Sequence, residues 1–109
     1  MAASKEFVGF VEELLAPLGA LTTGTFFGGR DIRYHGLQFA WIIGSTLYLR
    51  VNDATRPEFE ARDCQPFSYQ TKKGEVQVRK FYTAPDALFD DPGQMLAWAR
   101  RAIESASGA

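Results

Sequence analysis

Apolar residues crowd into two runs on either side of Gly44 and Ser45, and the pattern from Leu37 to Val51 predicts a β-hairpin in the middle of the chain. A glycine at the first of two central turn residues suits a type II′ turn, because it takes positive φ without a Cβ clash and the turn's twist matches the flanking strands. A two-residue loop pairs Ile43 with Thr46, Ile42 with Leu47, Trp41 with Tyr48, Ala40 with Leu49 and Phe39 with Arg50. Side-chain alternation then separates two faces. One carries Ala40, Ile42, Leu47, Leu49 and Val51 and is wholly apolar, the signature of a core face. The other carries Phe39, Trp41, Ile43, Tyr48 and Arg50, aromatic with a charge at one end, and is either covered or used for binding.

Upstream, Ser4 can cap a helix whose apolar stripe is Phe7, Val11, Leu14, Leu15 and Leu18, with Pro17 tolerated only near its end and Gly19 a natural stop. Leu21 to Phe27 reads as a strand broken by Gly28 and Gly29, and the extended pattern resumes over Ile32 to Tyr34 before His35 and Gly36 turn the chain. Downstream, Thr55 and Glu58 fit a capping box with Pro57 in the first turn, starting a short helix through about Arg62 that buries Phe59, with Asp53 as a rival cap. A second hairpin follows from Phe67 to Tyr82, turning at Lys72 to Glu75, with Phe67, Tyr69, Val76 and Val78 on one face and Ser68, Gln70, Gln77 and Arg79 on a wet one. The last helix has Asp91 at its cap, Pro92 at its first position and Gln94 at its third. Its stripe is Met95, Trp98, Ala99, Ala102, Ile103 and Ala106, and the tail from Ser105 is expected to fray. The fold class predicted is α+β, an antiparallel sheet built on hairpins with the N- and C-terminal helices packed on one face, as one domain over residues 1–109.

Composition fits that reading. A chain of 109 residues, 46% hydrophobic, can bury roughly two thirds of its unfolded surface. The net charge of −1 provides no global field toward nucleic acid or an anionic membrane. A single cysteine, Cys64, excludes an internal disulfide and a thiolate metal cluster and points to a reducing cytoplasm. The start MAASKEF lacks an export signal, and the longest apolar run, Phe39 to Ile43, is far short of a membrane span.

Candidate chemistry is sparse. Gly24-Thr-Phe-Phe-Gly-Gly29 is followed by Arg30 and Asp31 where a phosphate loop needs Lys and then Ser or Thr, so its glycines read as turn residues. His35, the only histidine, sits in a turn without the partners of a general base or metal site. Cys64 has Arg62 near it but also Asp63, and no histidine to act with it. Asp91 is explained by capping, Glu12 and Glu13 by a solvated helix side, and no Gly-x-Ser-x-Gly elbow exists. The expectation is a protein that is not an enzyme and needs no cofactor and no metal.

Two features point to binding. Lys72, Lys73, Arg79, Lys80, Phe81 and Tyr82 form a basic and aromatic stretch on the second hairpin, the residue types that hold phosphates and stack bases. The aromatic face of the central hairpin, Phe39, Trp41 and Tyr48 with Arg50, has the composition of a protein interface anchor. A helix, a partner or a second copy of the chain would each cover it.

The chain also resembles the N-terminal domain of the TfoX (Sxy) competence regulators. The resemblance is carried by Phe26-Phe27-Gly28-Gly29, by Gly36 with Phe39-Ala40, by Leu47-Tyr48-Leu49-Arg50-Val51, and by Asp53, Thr55-Arg56-Pro57 and Phe59. It continues through Pro66-Phe67, Tyr69, Tyr82, Pro85, Leu96 and Trp98-Ala99, nearly the whole chain in order. It implies a bacterial cytoplasmic α+β domain of regulators that act with the cyclic-AMP receptor protein to turn on DNA-uptake genes, without catalysis. Competence regulators of this type carry a second domain after this one, and the chain resembles the stand-alone members.

The reading that results is a transcription-regulatory domain acting through protein contacts at Phe39, Trp41, Tyr48, Arg50 and Arg79 on one sheet face, with a protein partner such as the transcription machinery, or as a homodimer. The alternative is direct nucleic-acid binding through Lys72, Lys73, Arg79, Lys80 and Tyr82. No membrane association is expected.

Overall fold

The central hairpin folds about Gly44, which has φ 59° while Ser45 keeps negative φ, the signature of a type II′ turn. Its strands, β3 (Leu37–Ile43) and β4 (Thr46–Arg50), pair Ile43 with Thr46, Ile42 with Leu47, Trp41 with Tyr48 and Ala40 with Leu49. The computed structural model describes residues 4–108. Around the hairpin run β1 (Leu21–Phe26), β2 (Gly29–Tyr34), β5 (Pro66–Thr71) and β6 (Gly74–Thr83), in one antiparallel sheet of order β1-β2-β3-β4-β6-β5. The chain therefore leaves β4, passes α2 (Arg56–Glu60), and returns to the outer edge as β5 before β6 pairs inward with β4.

Helices α1 (Lys5–Leu15) and α3 (Pro92–Ser107) cover one face of the sheet. Ser4 caps α1, its hydroxyl accepting from the Phe7 N–H at 3.4 Å, and Asp91 caps α3, accepting from the Gln94 N–H at 3.1 Å. Val11 and Leu15 of α1 and Met95, Trp98, Ala99 and Ala102 of α3 meet Ile32, Ala40, Ile42, Leu47, Leu49 and Tyr82 from the sheet and Val51 just past β4. The apolar face expected of the hairpin is the floor of this core. No helix among the described residues is long and apolar enough to cross a membrane.

Four local expectations are corrected. Phe39 is fully buried in the core instead of sharing the aromatic face, because the β2–β3 register shifts between Ile32 and Arg33: Ile32 pairs with Ala40 and Arg33 with Gln38, so Phe39 is the unpaired residue of a bulge. The capping box at Thr55 does not form. Instead the Asn52 Oδ1 accepts from the N–H groups of Ala54 and Thr55, at 3.0 and 2.9 Å, while the Thr55 hydroxyl accepts from the Asn52 N–H and Asp53 pairs with Arg56. The second strand resumes at Gly29, before Ile32. The C-terminal tail does not fray from Ser105, which is buried and donates its hydroxyl to the Arg101 carbonyl at 3.0 Å, and α3 ends at Gly108 with φ 79°.

Candidate functional site

The sheet face away from the helices is built around Trp41. Its ring lies 5.2 Å from Phe26, 5.9 Å from Tyr48, 4.5 Å from Phe67 and 5.9 Å from Phe81, centroid to centroid. The indole N–H donates to the Phe26 carbonyl at 2.9 Å. Trp41 fits there because Gly29 lies beneath it: a Cβ at Gly29 would come inside 3.0 Å of the Ile42 carbonyl, the Ile43 side chain and the Trp41 Nε1. The Phe26-Phe27-Gly28-Gly29 stretch is thus the support of one tryptophan.

Its second consequence is an exposed ring. Phe27 and Gly28 occupy the β1–β2 turn with φ 46° and 76°, a pair of left-handed residues that throws the Phe27 side chain outward, 80% exposed. Phe27 and Phe26 form one wall of a groove of about 500 Å³ with Trp41 and Phe81 at its base and Phe67, Tyr69 and Val78 of the β5–β6 hairpin as the opposite wall. The hairpin reaches Trp41 because the β5–β6 register slips between Pro66 and Phe67. Pro66 pairs with Tyr82 but Phe67 with Val78, so Arg79, Lys80 and Phe81 are extra residues on β6. The slip also reverses side-chain parity, and Val78 and Phe81 both line the groove.

Arg50 is half-buried with its guanidinium carbon 5.7 Å from the centre of the Phe81 ring. Its Nε is buried without a hydrogen-bond partner among the described residues. Tyr48, between Trp41 and Phe67, has its phenol pushed above the ordinary tyrosine range by burial. Asp31, pairing across β2–β3 with Trp41, is 1% exposed and accepts from the Arg33 Nε at 2.6 Å.

Of the residues expected at a contact site, Trp41, Tyr48 and Arg50 thus share one face, and two do not. Phe39 lies in the core. Arg79 turns to the helix side, 3.4 Å from Glu60 of α2, for the same β6 slip that brings Phe81 to the groove. The basic set is dispersed as well. Tyr82 is buried under α2 with its hydroxyl donating to Glu60 Oε2 at 2.8 Å, Lys72 and Lys73 occupy the tip of the β5–β6 hairpin, and Lys80 is exposed where its carbonyl accepts from the Val51 N–H. Sequence reasoning leaves Phe26, Phe27, Phe67, Tyr69 and Val78 out of the site and places Phe81 with the basic stretch instead of beside Trp41. The shared face of Phe67, Tyr69 and Val78 was visible from alternation; its meeting with Trp41 was not.

His35 has φ 48° in its turn, with its ring edge-on to Tyr34 at 4.4 Å. Cys64 is buried, and desolvation pushes its thiol above the ordinary range despite the nearby Thr83 hydroxyl and Arg62.

The structure defines a class: an open antiparallel sheet with helices on one side and an aromatic groove on the other. The sequence profile of the TfoX N-terminal domain matches residues 13–106, and the chain belongs to that family. No curated protein matches it. Membership supports a competence-related, regulatory type of domain.

Proposed function

We propose that this domain regulates transcription by docking a protein partner in the aromatic groove of its helix-free sheet face, within a bacterial cytoplasm. The observation that carries the reading is the exposure of Phe27 and Tyr69, 80% and 48%, at the rim of an apolar groove whose base is Trp41 and Phe81. Large aromatics held on a rigid scaffold lose little entropy on binding and supply most of the energy of protein contacts. The family membership supports a regulatory role for that contact, and no constellation of nucleophile, base and oxyanion donors lines the groove.

The test is affinity capture from a bacterial extract by the wild-type chain and by a Phe27→Asn, Tyr69→Ser double variant, each with and without nuclease. Asn tolerates the left-handed backbone at position 27, so the variant keeps the turn. A protein retained after nuclease by the wild type and lost with the variant is the expected result. Recovery of nucleic acid alone, released by salt and indifferent to the variant, would overturn it in favour of Lys72, Lys73 and Lys80.

A further inference from the structure

The groove's chemistry specifies its occupant more narrowly than apolar. Arg33, Arg56, Arg79 and Arg101 each have an acidic partner, respectively Asp31, Asp53, Glu60 and Glu58. Arg30 and Arg100 are exposed to water, and Arg62 is exposed with its guanidinium over Trp98. Among the described residues, Arg50 is the one half-buried arginine with no carboxylate partner, and it rests on the ring of Phe81 that also lines the groove. A cation partly withdrawn from water without a counter-charge is costly, and a carboxylate brought to it recovers part of that cost. No acidic residue lines the groove, and Asp31, the buried acid on this face, pairs through Oδ2 with Arg33 while its Oδ1 has no partner among the described residues.

We infer that the groove binds an acidic peptide segment, a bulky apolar side chain entering between Phe27 and Phe67 while a neighbouring Asp or Glu of the partner pairs with Arg50. This rests on the docking role proposed above and names the chemistry of its partner. One guanidinium beside a largely apolar groove suits a single carboxylate. A nucleic-acid strand would need a row of cations along its phosphates, and the lysines of the β5–β6 hairpin stand at its tip and within the bulge instead. A volume of about 500 Å³ accommodates a Phe or Leu side chain with the backbone around it.

The probes are two blocked hexapeptides, acetyl-SDFLDS-amide and its neutral counterpart acetyl-SNFLNS-amide, with a thymidine decanucleotide as a third. Each is titrated into the isotope-labelled chain while the Trp41 indole N–H and the Val78 and Phe81 amides are followed by NMR. The acidic peptide is expected to shift these signals and to bind about fivefold tighter than the neutral one, the strength of a half-exposed charge pair. The advantage shrinks as salt rises. It disappears in Arg50→Gln and survives in Arg50→Lys. Equal binding of the two peptides to the wild type, or an acidic preference that persists in Arg50→Gln, would refute the role of Arg50 and leave the docking groove standing. Shifts from the decanucleotide without shifts from either peptide would overturn the inference in favour of nucleic acid. No shift from any probe would count against inference and groove together.

Discussion

The indole N–H of Trp41 donates to the carbonyl of Phe26 at 2.9 Å, joining the third strand to the end of the first across the strand between them. The bond fixes the ring that forms the base of the groove and the turn that forms its rim. In Trp41→Phe the Phe26 carbonyl loses this donor and the ring contacts shrink. Leaving a partly buried acceptor unpaired costs about 1–3 kcal/mol. Urea unfolding should show that loss, and amide exchange at Phe27 and Gly28 should accelerate more than in α3.

Gly29→Ala is a sharper perturbation. Its backbone is ordinary, but a Cβ there would press on the Ile42 carbonyl, which belongs to the neighbouring strand and cannot swing aside. Overpacking of this kind costs about 1–3 kcal/mol. For a domain of about this size each kcal/mol lowers the melting temperature by roughly 4–8 °C, so calorimetry resolves the effect. Gly93→Ala, inside α3 and with only ordinary contact between its Cβ and the Asp91 carboxylate, is the control and should hold or raise the melting temperature.

How far these features were legible in the sequence depends on the strand bulges. The pairs Trp41 with Tyr48 and Ile42 with Leu47, the type II′ turn and the Ser4 and Asp91 caps are local, set by alternation and by neighbours a few residues apart, and each forms as expected. Counting in twos puts Phe39 on the Trp41 face, which fails, and puts Arg79 opposite Val78, which holds, so that only the sharing of a face by Arg79 and Arg50 is lost. A bulged strand breaks that count, and both bulges lie within hairpins of successive strands, where the register shifts beyond the turn: Ile32 pairs with Ala40 but Arg33 with Gln38, and Pro66 with Tyr82 but Phe67 with Val78. The groove depends on the same pairing plus the placing of β6 between β4 and β5, which carries Phe67 to Trp41. The Thr55 capping box failed for a local reason, because Asn52 offered the backbone an alternative turn.

Alkaline pH should weaken the fold in two stages. Burial raises the Cys64 thiol and the Tyr48 phenol above their ordinary values, so in both cases the folded chain holds the proton more tightly than the unfolded chain. Their contribution is complete below the unfolded pKa and is lost as pH rises through the folded one. Unfolding free energy should therefore fall first above about pH 8.5 and again above about pH 10. Cys64→Ala should remove the first slope and Tyr48→Phe the second. At neutral pH the native thiol should react with iodoacetamide far more slowly than the unfolded one.

Asp91→Ala should cost about 1 kcal/mol, the usual value of a helix N-cap. Its carboxylate accepts from the Gln94 N–H at 3.1 Å at the start of the helix that covers β3 and β4. Circular dichroism melts should show the drop, and Asp91→Asn should recover most of it.

Whether the helix-free face is where this domain meets a protein can be read most directly by placing a photo-crosslinking p-benzoylphenylalanine at position 27, 69 or 100 and irradiating living bacterial cells. Phe27 and Tyr69 stand at the groove's rim, whereas Arg100 is exposed on α3 on the opposite side of the sheet. Discrete protein adducts from positions 27 and 69, with none from position 100, are the predicted outcome. Adducts from position 100 with none from the rim would contradict the account and move the contact to the helical side.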